Sequence, residues 1–381
     1  MDRQITPGGY HWISTTVESL DPEKDYELMW RSMSCYRISD FMNNLMYSIS
    51  FSNFIVTVHG AEAVWLDDGG KVVNRGTQRV EDTENFNMTW WHYGPSDERC
   101  QKAVQQINKL HATLARRYPG NFSVNDDFLY VMTFSAVLMH RLRLRLGLSG
   151  FTTKEKIAAH HFWRDMTPLF QTEDGTPITG YPDDFDGCLA FCEAYENTPR
   201  EFDIRIHNAG LAILNQFAFR NFPPGLRWLG VSIPTALSLP TTLKALRIKP
   251  VNPILAWLVV FFVGVYFRFA EIFLPDPRES FLLKIKNLDR ESAEKRKEDI
   301  KASDRAYANG QRKSLKQQLD AASIKTEAGR TTLADLPTVQ IGCKKYIPEE
   351  YTANKNRKGR RSWIQAHGFF LTEVSPDLRT L

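Results

Sequence analysis

The sequence carries almost no excess of charge, its formal net charge being +4 over 381 residues. That is far below the basic footprint of a nucleic-acid-binding chain, and no nucleic-acid partner is expected. It is also poor in cysteine. The five, Cys35, Cys100, Cys188, Cys192 and Cys343, are odd in number and mostly scattered. Cys188 and Cys192 would share a helix face, but two thiols are too few to enclose zinc. They read as buried, reduced thiols of an intracellular protein. No apolar run follows the charges of MDRQITPGGYHW, so no secretory signal is expected there. Also missing are GxGxxG after a strand, GxxxxGK[ST], GxSxG and HExxH. Residues 147–150, GLSG, resemble a nucleophile elbow only superficially, because their flanks are wrong. Nucleotide binding, serine hydrolysis and zincin chemistry lose their simplest support.

What is present is apolar and aromatic. Hydrophobic residues make up 43% and aromatics 12%, enough for a large core or an apolar pocket. Three regions follow from composition: an N-terminal segment (1–29), a helical body (30–275) and a charged C-terminal extension (276–381). Beyond Pro275 and Pro277 the chain turns strongly charged, which suits a solvated helix or a flexible tail.

Punctuation marks several helices. Residues 97–118 place Val104, Ile107, His111 and Leu114 on one stripe and stop at Pro119-Gly120. The next helix opens near Asn125, with Asp126 and Asp127 where carboxylates suit the helix dipole, and closes at Gly147. Thr152 and Glu155 form a capping box ahead of KIAAHHFWRDM. Further helices are predicted over 183–195 and 202–222. Only FIVTVHGAEAVWL has enough β-branched residues to suggest a strand. The expected fold is all-α: one large helical domain with a charged extension.

Residues Ile254–Leu274 are very apolar until Arg268 and Glu271 intervene. The unbroken run is shorter than the roughly 20 residues a bilayer crossing wants. It reads as a buried or surface-seated hydrophobic helix, with a membrane-dipping or spanning helix as the alternative.

The remaining chemistry lies in histidines. His111, His140 and His161 each project from an apolar helix face, His161 sharing its face with Ile157, while His160 lines up with Trp163 and Arg164. Such an imidazole can hold a haem iron, or be an ordinary hydrogen-bonded core residue. His59 and His207 have weaker claims; His11, His92 and His367 read as loop residues. Arg116 and Arg117 close the His111 helix, where cations are favourable without any function. A metal site built from His160, His161 and Asp165 would need distant help, since these residues crowd one helix.

The order of segments resembles the family that unites fungal ER-bound oxygenases, of the mycophenolic acid pathway type, with bacterial latex-clearing rubber oxygenases. The matching stretches are RVEDT (79–83), YGPSDER (93–99), INKLHATLARRYP (107–119), NDDFLYVMTFS (125–135) and HHFWRDM (160–166). Tyr195-Glu196 and NFPPGLRWLG (221–230) follow in the same order, so the resemblance covers roughly residues 30 to 275. It implies a mostly helical fold, haem b, and dioxygen chemistry on a hydrophobic isoprenoid or polyketide-derived substrate in secondary metabolism. It also implies one axial ligand from among His111, His161 and His140, in that order. A polar group near bound oxygen would come from Lys109, Arg116 or Thr83. Membrane contact through Ile254–Leu274, at the endoplasmic reticulum or another membrane, would agree with it; the oligomeric state is left open. Two features depart from the family: Thr167 stands where it has glycine, and its N-terminal anchor is not matched.

Overall fold

About half of the helix starts among the described residues are set by short polar side chains that satisfy free N–H groups of the first turn. The computed structural model describes residues 7–66 and 69–328, with side chains through 310. Among these residues there are sixteen α-helices, two 3-10 turns and no strand. The first helices are α1 (Trp12–Ser19), α2 (Tyr26–Ser34), α3 (Asp40–Phe54) and α4 (Val58–Trp65). α3 is capped by Ser39 and α4 by Thr57, whose hydroxyl accepts from the Gly60 N–H. The β-branched stretch around α4 is therefore helical, its cap and the buried pair Ala61 and Val64 outweighing strand propensity.

Next come α5 (Gly70–Asn74), α6 (Gly76–Tyr93), α7 (Glu98–Ala115) and α8 (Asn125–Arg145). α9 (Thr153–Met166) has the expected capping box, Thr152 and Glu155 each bonding the other's backbone. α10 (Phe185–Asn197) and α11 (Ile204–Asn221) are capped by Asp184 and Asp203. α12 (Arg227–Leu237), α13 (Pro240–Ala245), α14 (Pro253–Phe273), α15 (Phe281–Lys286) and α16 (Arg290–Ala328) complete the order.

The largest core gathers Trp30 of α2, Val104 of α7, Phe134 of α8, Phe162 and Trp163 of α9, and both cysteines of α10. A second core lies between α4, α5, α6 and α11, around Val80, Ile206 and Ile213. Neither compositional boundary separates a body. Trp12 donates to the Pro277 carbonyl at 3.0 Å, and buried Asp276 accepts from the Ile13 N–H while pairing with Arg37. In α16, Ile300 and Tyr307 are buried, and Asp304 caps the start of α6 through the Thr77 N–H at 2.7 Å. The charged composition beyond 281 thus belongs, through residue 310, to a helix laid on α6 and α11. The remainder of the predicted flexible extension lies outside the described residues, as do Cys343 and His367.

α14 is neither buried nor detached. Val259 and Gly264 are its buried residues, and Val260, Val263 and Phe267 pack on a core formed from α3, α8, α11 and α12. A Cβ on Gly264 would stand 2.5 Å from the Leu146 carbonyl oxygen, so glycine lets α14 approach the end of α8. The opposite face exposes Trp257, Phe261, Phe262, Tyr266, Phe269 and Phe273. α14 is the one helix among the described residues long and apolar enough to cross a membrane, with mean hydropathy 1.9 and only 11% of its most apolar window buried.

Candidate functional site

The sequence motifs prove to be mostly joints between helices. In YGPSDER, Gly94 takes the left-handed φ of +83° that the turn from α6 requires. Ser96 bonds the Glu27 carboxylate through its N–H (2.8 Å) and hydroxyl (2.7 Å), and Asp97 caps α7. In HHFWRDM, Phe162, Trp163 and Met166 are fully packed. The Tyr195-Glu196 pair clamps α10 to α8. Tyr195 donates to Asp127 at 2.6 Å and stacks on Tyr130, while Glu196 accepts both Arg141 nitrogens at 2.7 Å and the Tyr130 hydroxyl.

The three histidines singled out above sit in separate surroundings. His111, on α7, is stacked face to face on Phe122 with ring centroids 4.4 Å apart, and meets Phe128 edge-on. Its Nδ1 is buried and has no hydrogen-bond partner. Desolvation, with a smaller contribution from the charge of Arg79, pulls its pKa down to about 4. The ring is therefore neutral at pH 7, with an unclaimed nitrogen in an aromatic bed.

His140, at the end of α8, is different. Its Nδ1 accepts the Phe151 N–H at 2.8 Å, which leaves the ring proton on Nε2. Neither nitrogen then offers a free lone pair. Gly150 permits this contact, since a Cβ there would fall 2.6 Å from Nδ1. His161 pairs its Nε2 with Glu23 at 2.7 Å, in a polar seam where the Tyr26 hydroxyl donates to Asp165. Its Nδ1 is buried without a partner.

The inward member of the adjacent pair is His160, not His161. His160 is buried, with Nε2 2.8 Å from the Pro182 carbonyl oxygen. Ile157 is only half-buried whereas Trp163 is 2% exposed, so the inner face of α9 follows the tryptophan. Asp165 bonds Tyr26 and Arg164 and does not join the two histidines, so the weaker metal reading finds no assembled donor set. His92 is no loop residue. It is buried in α6, 3.1 Å from the Ser280 hydroxyl, and desolvation lowers its pKa to about 4.

Of the three polar candidates, Thr83 lies on α6 with its hydroxyl on the Arg79 carbonyl (2.9 Å). Lys109 is exposed, and Arg116 is exposed with Nη2 on the Thr113 hydroxyl at 3.1 Å. The charged residue placed near His111 is instead Arg79, which begins RVEDT. Its guanidinium lies over Phe51, 4.5 Å from the ring centroid, and its Nε bonds the Tyr47 hydroxyl.

A charge cluster escaped sequence reading altogether. Asp40 (α3), Glu81 and Glu84 (α6) bring carboxylate oxygens within 4.8 Å of one another. Arg296 bonds both Asp40 and Glu81, and Arg220 bonds Glu81. Glu84 is 5% exposed with both oxygens unbonded. Burial, then the charge of Glu81, holds its carboxyl well above the usual carboxylate range. Two guanidinium groups already balance the Asp40–Glu81 pair and burial disfavours the charged form of Glu84, so this is an ion-pair knot joining four helices. Its only local signal is the Glu81/Glu84 spacing; the arginines arrive from 139 and 215 residues away.

No known family model matches the chain, and no curated protein matches it in sequence.

Proposed function

We propose that the chain is a haem-dependent oxygenase acting on an apolar isoprenoid or polyketide-derived intermediate beside a membrane. The observation that carries this reading is the neutral, partnerless, buried nitrogen of His111 in the α6–α7 region. The two motif stretches RVEDT and INKLHATLARRYP lie on these same helices. An axial haem ligand must be a neutral imidazole with an open lone pair in an apolar setting, and His111 offers that combination. His161 keeps an open nitrogen too, but within a polar seam; the tautomer of His140 closes it as a ligand. Haem b held by His111 would supply dioxygen activation and oxidative cleavage of a carbon–carbon double bond. The protein's share is to fix the imidazole, to exclude water with Phe122 and Phe128, and to offer a polar group from α6. Arg79, whose charge acts on His111, is the residue for that last task, since the Thr83 hydroxyl proton is already given to the Arg79 carbonyl.

Purified full-length protein is expected to show a Soret band that His111→Ala abolishes and His140→Ala leaves in place. Colourless protein after expression with ample haem precursor would overturn the reading.

A second reading, a non-enzymatic membrane-associated protein on the same scaffold, is favoured by α14. At about 1.5 Å per residue its 21 residues reach across a hydrocarbon core. Yet it is packed sideways along α8 and α12, and Glu271 pairs with Arg143. That arrangement suits a helix lying in the plane of the interface, aromatic face downward.

A further inference from the structure

At the N-terminal end of α14 a half-open cleft of about 360 Å³ lies between that helix and α12–α13. That is within the size range of small-ligand sites. Leu243, Ile248, Val251 and Ala256 supply apolar wall, and Arg145 and Lys244 supply charge. No carboxylate lines it. Arg145 donates to the Ala236 carbonyl, and no acid pairs with it or with Lys244 among the described residues. Ser238 and Thr235 spend their hydroxyl protons on the Pro234 and Val231 carbonyls, which leaves the two cations as the cleft's free donors.

Arg145 and Lys244 are both solvent-exposed, and with no carboxylate beside either, an anion entering the cleft would meet two unopposed positive charges. Ala256 lines the cleft, and the next residue, Trp257, opens onto the exposed aromatic face. An occupant that is anionic at one end and apolar at the other matches both. A bilayer phospholipid has its phosphate at the depth where such aromatic residues settle. We propose that this cleft binds the headgroup phosphate of an anionic phospholipid, Arg145 and Lys244 holding the phosphate while the acyl chains lie along α14. The proposal rests on the membrane contact of α14 set out above.

The experiment is co-sedimentation of the full-length protein with phosphatidylcholine vesicles, with and without phosphatidic acid. Wild type should bind both and favour the anionic ones. Arg145→Gln and Lys244→Gln should each lose that preference by well over the about fivefold that a non-specific surface cation contributes, with neutral-vesicle binding unchanged. Lys249→Gln, exposed nearby but outside the lining, should lose no more than that. Equal losses from Lys244→Gln and Lys249→Gln would mean diffuse attraction and overturn the site. Thermal protection of wild type, but not Lys244→Gln, by inorganic phosphate alone would mark a small-anion site and overturn the lipid assignment. Binding to neither vesicle would sink the membrane reading itself, a different failure from loss of the anionic preference. Lys244 is exposed, so its variant keeps the test decisive if Arg145→Gln misfolds.

Discussion

Leaving an imidazole nitrogen buried and unbonded costs about 1–3 kcal/mol, a cost a purely structural aromatic would avoid. His111→Phe should accordingly stabilise the cofactor-free protein by about 1 kcal/mol, since Phe122 and Phe128 already form an aromatic bed, while removing cofactor binding. Urea denaturation of the two proteins checks the first half and absorbance the second. Glu84 carries an opposite lesson about protons. Its folded pKa lies above the unfolded value near 4.5, so the folded state keeps a proton that the unfolded state releases. Its contribution is therefore greatest below the unfolded pKa and declines as pH rises through the folded one. Glu84→Gln should match wild type at pH 4 and exceed it at pH 8; a pH-independent difference would refute the assignment of a neutral carboxyl.

At the scale of the element, Thr152→Ala should cost about 1 kcal/mol by removing half of a capping box. Gly264→Ala should cost about 1–3 kcal/mol, because its methyl group meets backbone rather than a movable side chain. Both are read from denaturation midpoints. The contrast shows what a sequence makes legible. Asp97, Thr152, Asp184 and Asp203 cap their own first turns, so α7, α9, α10 and α11 can be placed from a few neighbouring residues. Which face turns inward depends on the partner helix. This is why Ile157 misdirects the choice between His160 and His161, and Trp163 decides it. The His111 stripe was legible through its spacing to Val104 and Ile107. The approach of Arg79 to it, and of Arg220 and Arg296 to Glu81, arises only when distant helices pack. α14 could be recognised as apolar but not as half-seated, because its inner face is defined by Leu146, just past the end of α8.

For the whole molecule, histidines whose pKa desolvation lowers shape the response to acid, His140 and His160 among them and His92 and His111 most strongly. His92 and His111 have folded pKa values of about 4, below the ordinary 6.5, so each takes up a proton on unfolding between those limits. Stability should fall as pH drops from 6.5 towards 4, and His92→Asn should shallow the slope by about one proton. The packed body also reaches past the compositional boundary at Pro275. A chain ending at residue 275 should fail to fold, and one ending at 310 should retain a cooperative thermal transition. The first loses Asp276 from Arg37, Arg296 from Asp40 and Tyr307 from the core.

The cores hold Cys35, Cys100, Cys188 and Cys192 as free, buried thiols, and burial pushes the last three up to about 12, 11 and 12. Almost none of their sulfur is nucleophilic thiolate while the protein is closed. Alkylation of these four positions therefore runs at the pace of opening rather than of chemistry. Cys35 reports the α1–α2 corner, and the other three report the central helices. A maleimide time course read by mass would show whether the α1–α2 corner and the central helices come apart together or in turn.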